Sequence, residues 1–379
     1  MNKTYQYRLY PTEHQRTLLY KTLEACRWVY NETLAVRKNA WEQEKITLTF
    51  YDTNKFLKEW KKVKPELKQA HSQTLLNAQM RVDLSFKAFF RRIKAGEKAG
   101  YPRFKGYGRY DSFTYPQRGF KLINNKLFLS KIGYIKIIQH RPIEGKIKTL
   151  TIRRDSVGNW YASFNCEVEA KPLPPTDKVV GIDLGLTTFA VLSDGNEIKR
   201  ERWMKRDAKD IARIQRKKEK LPKGSAQRKK TIRALQHAYQ RQTNRRNNFA
   251  HQESRKLVNK YQFIAFEDLE IQKMQSNGNR IINQGIADVA WGKFVQYVQY
   301  KAECADRECV LVDPKNSTQM CSGCGEIVPK DLSIRIHKCP HCGLEISRDL
   351  NASLNILARG LASFRHRPVK AAGLLTQAE

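Results

Sequence analysis

The 379-residue sequence has no run of about 18 apolar residues, the length a helix needs to cross a bilayer, so no spanning helix is expected. Behind Lys3, the opening MNKTYQYRLY lacks the apolar stretch of a secretory leader, so the expected setting is a reducing, intracellular one. Acidic residues are in short supply: Asp+Glu total 37 against 71 Lys+Arg, a net charge of +34. So one-sided a charge points to a polyanionic partner, of which nucleic acid is the commonest. No internal repeat or low-complexity segment appears, and the eight histidines are too scattered for a Ser/His/Asp or Cys/His constellation. What is present, 40% hydrophobic and 10% aromatic residues, suffices for a core and excludes global disorder. The length suggests two or three domains.

Tyr5, Tyr7 and Leu9 alternate with polar neighbours as on a half-buried strand that Pro11 ends. Thr12 and Gln15 form a capping box before Leu19, Leu23, Cys26 and Tyr30 at helical spacing. A second helix is predicted from about Ser72 to Ile93, with the apolar stripe Leu75, Ala78, Val82, Phe86, Phe89 and Ile93. After Gly100-Tyr101-Pro102 the pattern turns to short strands, at 126–129, 134–138 and 160–167. The Pro-rich stretch 171–176 reads as a joint. Beyond it, 179–183 and 188–192 read as two strands around Gly185-Leu186-Thr187.

Residues 199–260 carry 22 Lys/Arg against 5 Asp/Glu, which is half the net charge of the chain. Leu221-Pro-Lys-Gly224 divides them into a basic helical hairpin. A solvated helix pair is the plain reading of a charge run, but interspersed acids would then relieve the repulsion; nucleic-acid contact fits better.

Four of the eight cysteines form two CxxC knuckles, Cys321/Cys324 and Cys339/Cys342, with 14 residues between them. Such knuckles build a tetrahedral S4 cage for one Zn2+, and four thiolates leave no open position, so the metal is structural. His337 and His341 are expected to be solvated neighbours, and Cys26, Cys166, Cys304 and Cys309 inert thiols.

Asp183 in VVGIDLGLTTFAVL, Glu267 after Phe263-Ile-Ala-Phe266, and Asp349 in SRDLNASLNIL each lie at the end of an apolar segment. Leu350, Leu354, Leu357 and Leu361 give the last segment a heptad-like helical stripe. A buried carboxylate is costly unless a cation neutralises it. Three of them, in a chain suited to a polyanion, suggest a shared Mg2+ site for phosphodiester chemistry. GIDLG alone equally fits the first phosphate loop of actin-like and Hsp70-type ATPases. Those need a second loop of the DGGG kind, which is missing here.

The ordered set GIDLG (181–185), Lys223-Gly224-Ser225, FEDL (266–269), Asp288 with Trp291, YKAE (300–303), CSGCG (321–325), CPHCG (339–343) and RDLNASLNI (348–356) resembles TnpB, the OrfB-type proteins of insertion sequences. YRLYPT, Phe89-Phe90 and Tyr101-Pro-Arg-Phe-Lys105 extend the resemblance over nearly the whole chain. It departs in Ser347-Arg348-Asp349, where Asp-Arg-Asp is usual, and in Asn248 and Gln252, which replace two charges.

The resemblance implies an α/β and α+β chain: an RNase H-like RuvC nuclease domain (176–315 and 344–365, with the hairpin 199–260), an inserted zinc ribbon (316–343), a wedge β-barrel (1–10 and 100–175), a helical recognition insertion (11–99) and a flexible tail (366–379). It implies a metal-dependent, RNA-guided DNA endonuclease with a guide RNA from the transposon end and double-stranded target DNA as partners. Asp183, Glu267 and Asp349 become the catalytic triad holding two Mg2+. Phe50, Asn54, Gln73, Asn77, Thr114 and Tyr115 become candidate readers of a short adjacent motif. Lys217, Lys218, Lys223, Arg228, Lys229, Arg245 and Arg246 become backbone contacts. The expected location is the cytoplasm, with the nucleoid. A non-cleaving regulator using the same RNA, and a transposase accessory protein, remain the alternatives.

Overall fold

The alternation at the N-terminus becomes the centre of a sheet in the computed structural model, which describes residues 1–271, 274–275, 280–331 and 333–365. The expected tail at 366–379 lies outside the described residues. Two compact units divide between Glu169 and Ala170. No helix among the described residues is long and apolar enough to cross a membrane.

In the first unit, β1 (Asn2–Tyr10) lies between β5 (Gly133–Ile138) and β7 (Trp160–Glu167), antiparallel to both. With β2 (Ser112–Tyr115), β3 (Phe120–Ile123), β4 (Lys126–Leu129) and β6 (Lys146–Arg154) the order is β2-β6-β7-β1-β5-β4-β3. Among the described residues β2 and β3 do not pair with each other, so the seven strands form an open sheet. Tyr5, Tyr7 and Leu9 are buried on its inner face.

The helices α1 (Glu13–Glu44), α2 (Phe50–Val63) and α3 (Ser72–Lys94) intervene between β1 and β2. Thr12 and Gln15 make the reciprocal capping box at the start of α1, and Thr49 and Asp52 another for α2. Leu19, Leu23, Cys26 and Tyr30 of α1 share one core with Leu75, Ala78, Val82 and Phe86 of α3. The stripe on α3 ends there: Ile93 is 52% exposed, because the helix has run past what it packs on.

The second unit is built on β8 (Val179–Leu184), β9 (Ala190–Leu192), β10 (Glu197–Ile198), β11 (Phe263–Glu267) and β12 (Glu308–Val312), in the order β10-β9-β8-β11-β12. β8, β11 and β12 are parallel, while β9 folds back on β8 as a hairpin. Every residue of β11 is buried, as suits a parallel strand covered on both faces. The basic hairpin is α4 (Trp203–Glu219) and α5 (Ala226–Lys260). The helices α6 (Arg280–Val289) and α7 (Trp291–Ala305) lie between β11 and β12. A hairpin of β13 (Ile336–Lys338) and β14 (Glu345–Ser347) leads into the last helix, α8 (Arg348–Arg365).

Candidate functional site

Strand register brings the first two acids together. Ile182 of β8 pairs with Phe266 of β11, so the next residues, Asp183 and Glu267, stand side by side at the carboxyl ends of parallel strands. Such ends open onto the crevice where α/β sheets bind ligands. Asp349 arrives from α8, seated directly on this sheet. A Cβ on Gly181 would lie 2.1 Å from Ser353 O and 2.5 Å from Leu357 N, and one on Gly360 would lie 2.7 Å from Ala265 Cβ. Gly181 in GIDLG thus serves close helix packing rather than a phosphate loop. Gly181→Val should therefore lower the melting temperature and, by lifting α8, reduce any activity that needs Asp349; overpacking of this kind costs about 1–3 kcal/mol or more. Thermal unfolding of the variant checks this.

Burial, then the negative charges of Glu267 and Asp349, push the Asp183 carboxyl up to about 8 against the pull of Arg348. Glu267 is 9% exposed. Burial raises it too, opposed by a hydrogen bond from the Ser317 hydroxyl to Oε1 and by the charge of Arg359. Asp349 Oδ1 accepts from Arg348 Nε at 3.1 Å, and Arg335 Nη1 stands 4.0 Å from Oδ2. Among the described residues, only four thiols form a group whose ligand atoms all lie within 4.8 Å of one another; the three acids are spread more widely.

Those thiols are Cys321, Cys324, Cys339 and Cys342. Cys321 Sγ lies 3.6 Å from Cys342 Sγ, and Cys324 Sγ 3.6 Å from Cys339 Sγ. The edge of a ZnS4 tetrahedron with ~2.3 Å bonds is about 3.8 Å, so the cluster fits a structural zinc. Gly325 and Gly343, just past each knuckle, adopt positive φ of 80° and 76°. His337, expected in solvent, is fully buried, with Nδ1 against Lys330 Nζ, because the alternation of β13 turns it inward.

The sequence reading missed what fastens the cluster to the acids. The expected leucines of α8 are only half-buried, whereas Asn351 and Asn355 are buried. Asn351 Oδ1 accepts from Ser322 N at 2.9 Å, and Asn355 Nδ2 donates to Ser317 O at 2.9 Å and Met320 O at 2.7 Å. The available signal was two asparagines four apart on a helix otherwise read for its leucines.

In the basic hairpin, Lys217, Lys223 and Lys229 are exposed. Arg228 Nη1 closes the turn, donating to Lys218 O at 2.6 Å and Leu221 O at 2.7 Å. Lys218 pairs with Glu219 at 2.8 Å. Arg245 Nη1 meets both oxygens of Asp207 at 3.0 Å, tying α5 to α4, and Arg246 Nη1 donates to Ala287 O at 2.6 Å.

Three family profiles match: one described as "Probable transposase" over residues 163–278, "Cas12f1-like, TNB domain" over 291–356, and "Helix-turn-helix domain" over 1–45. A Streptomyces pristinaespiralis protein named "Putative RNA-guided DNA endonuclease" is 34% identical over 371 residues, covering 96% of this chain and 90% of that one. The chain belongs to the TnpB family. InsQ of Escherichia coli K12, which carries the same description, is 29% identical over 379 residues, covering 95% and 92%. The fold is shared with a structure titled "Structure of the mini-RNA-guided endonuclease CRISPR-Cas_phi3", at a TM-score of 0.50 and 10% identity over 95% of this chain and 92% of that one. In this TnpB the span matched as helix-turn-helix is a strand and one unbroken helix, β1 and α1.

Of the candidate base readers in this TnpB, Arg81 gathers two: Nε donates to Asn77 Oδ1 at 3.2 Å and Nη2 to Thr114 Oγ1 at 2.9 Å. Gln73 Oε1 accepts from Arg118 N at 3.3 Å. Phe50 and Asn54 lie on α2, and among the described residues the buried Asn54 Oδ1 has no hydrogen-bond partner. Tyr115 must be withdrawn. The alternation of β2 turns it into the core, fully buried, with its hydroxyl donating to Ser130 O at 3.1 Å, so no base edge reaches it.

Proposed function

We propose that this TnpB is an RNA-guided DNA endonuclease of an insertion sequence, hydrolysing target phosphodiesters in an RNase H-like, RuvC-type centre made by Asp183, Glu267 and Asp349. The relatives' names point to guided DNA cleavage. The observation that carries the chemistry is the strand register that sets Asp183 beside Glu267 at the carboxyl ends of β8 and β11, where burial and two further carboxylates raise the Asp183 carboxyl to about 8. Among the described residues neither Asp183 nor Glu267 forms an ion pair, so a divalent cation is the natural counter-charge.

Asp183 feels the negative charges of both other acids. Asp183, Glu267 and Asp349 would together hold two Mg2+. Bound there, they would activate a water and stabilise the leaving 3′ oxygen. The chain's own part would be to place the ligands: Asp183 would give up its proton, Glu267 would keep Oε1 on Ser317 and offer Oε2, and Asp349 would turn from Arg348 to the metal. Lys217, Lys223 and Lys229 grip nucleic-acid backbone, and base pairing with the guide supplies sequence specificity. On this reading 176–315 and 344–365 form the nuclease domain, 316–343 its zinc ribbon, 1–10 with 100–175 the wedge and 11–99 the recognition insertion. The protein then acts in the cytoplasm on the nucleoid, with an RNA from its own transposon end.

Sequencing the RNA that co-purifies with the full chain, and challenging the complex with DNA matching it, tests the proposal. A defined RNA with a variable 3′ segment and a cut confined to matched DNA is the expected result. Heterogeneous cellular RNA without matched cleavage would leave only electrostatic affinity.

A further inference from the structure

Between β12 and the first zinc knuckle, residues 313–322 are gripped along one face of α8. Arg359 Nη1 donates to Asp313 O at 2.8 Å and Lys315 O at 2.7 Å. One turn earlier Asn355 holds Ser317 O and Met320 O, and one turn before that Asn351 Nδ2 donates to Met320 O at 2.7 Å. Positions 351, 355 and 359 recur every four residues, so they form one ridge of the helix. Both asparagines are buried, and a buried amide is retained at a cost unless its bonds are made.

Ser317 occupies the middle of this strip and is 4% exposed. Its carbonyl is clamped by Asn355, its N–H donates to Pro314 O at 3.3 Å, and the preceding Asn316 sits at φ 59°, turning the chain sharply. The backbone is fixed on both sides, and the hydroxyl it carries donates to Glu267 Oε1.

We infer that Ser317 is a positioning residue for the metal centre: its hydroxyl fixes the rotation of the Glu267 carboxylate and leaves Oε2 as the ligand oxygen, which couples the zinc knuckle to the site through the α8 ridge. The inference rests on the metal site proposed above. Hydrogen bonds to ligating carboxylates orient them, and losing one costs about 10–100-fold in metal affinity. A serine that merely filled space would be replaceable by any side chain of its shape.

Thr and Val differ at this position only in the hydroxyl, so the test compares Ser317→Thr with Ser317→Val in the full-length, zinc-loaded protein. Mn2+ binding is followed by the electron paramagnetic resonance of the free ion, with Asp183→Asn as the background. Thr should bind within about twofold of the parent and Val about tenfold more weakly, both keeping stoichiometric zinc. Ser317→Ala, which removes only the oxygen, gives the same comparison should Val prevent folding, and it too should bind about tenfold more weakly. Equal Mn2+ affinity in Thr and Val, or in Ala and the parent, overturns the inference while the metal site stands. A parent that binds no more Mn2+ than Asp183→Asn overturns the metal site itself, and the inference with it.

Discussion

Asp183→Asn should cleave guide-matched DNA at least about 10^3-fold more slowly than the parent while binding RNA equally well, because the loss falls on transition-state stabilisation and leaves the hairpin cations untouched. Activity and stability should part company in this variant. Replacing the carboxyl with an amide removes its repulsion with Glu267 and Asp349, so the metal-free melting temperature should hold or rise. Single-turnover cleavage, RNA binding and thermal unfolding on one preparation decide the matter; full cleavage by the variant sinks the triad.

The same carboxyl sets a pH dependence whose sign can be worked out. With the folded value raised to about 8, the group contributes stability that is complete below the ordinary aspartate range near ~4 and is lost as pH rises through 8. The metal-free parent should therefore unfold more easily at pH 9 than at pH 6. Mg2+ competes with that proton, so the half-saturating Mg2+ concentration should fall about tenfold per unit between pH 6 and 8 and then level off. Asp183→Asn should lose both trends.

The second large effect belongs to zinc. Cys339→Ser should lose stoichiometric zinc, since a three-thiolate knuckle cannot close the tetrahedron, and the binding of a structural Zn2+ carries about 10–16 kcal/mol of coupled folding energy in small domains. Among the described residues the β13–β14 hairpin has only its own two strands for pairing, so it should lose its order with the metal. The damage should reach α8, because Asn351 and Asn355 bind the backbone of the knuckle segment. Cleavage should then fall by orders of magnitude, whereas Cys304→Ser, outside the cluster, should keep both zinc and activity. Metal analysis together with the cleavage assay checks this.

Strand and helix periodicity carried the reading wherever burial followed it. Tyr5, Tyr7 and Leu9, the capping box at Thr12, the hairpin around GIDLG and the break at 221–224 all lie where local chemistry put them. Periodicity misled where a partner, rather than a pattern, decides which face is buried. Along α8 it favoured leucines, yet the helix buries asparagines because they satisfy the knuckle's backbone. The basic run likewise gave no hint that Arg228 Nη1 would bond turn carbonyls. The three acids were legible as costly residues in apolar segments. Ser317 was not, since nothing local distinguishes it until β12 and α8 bring it to Glu267.

Diffraction from crystals of the full chain soaked in Mn2+, recorded at the manganese edge, tests the shared metal centre most directly. The account predicts anomalous peaks bonded to oxygens of Asp183, Glu267 and Asp349, with Arg348 moved off Asp349. Density showing those three carboxylates metal-free at saturating Mn2+, or a peak held by one of them alone, would contradict it.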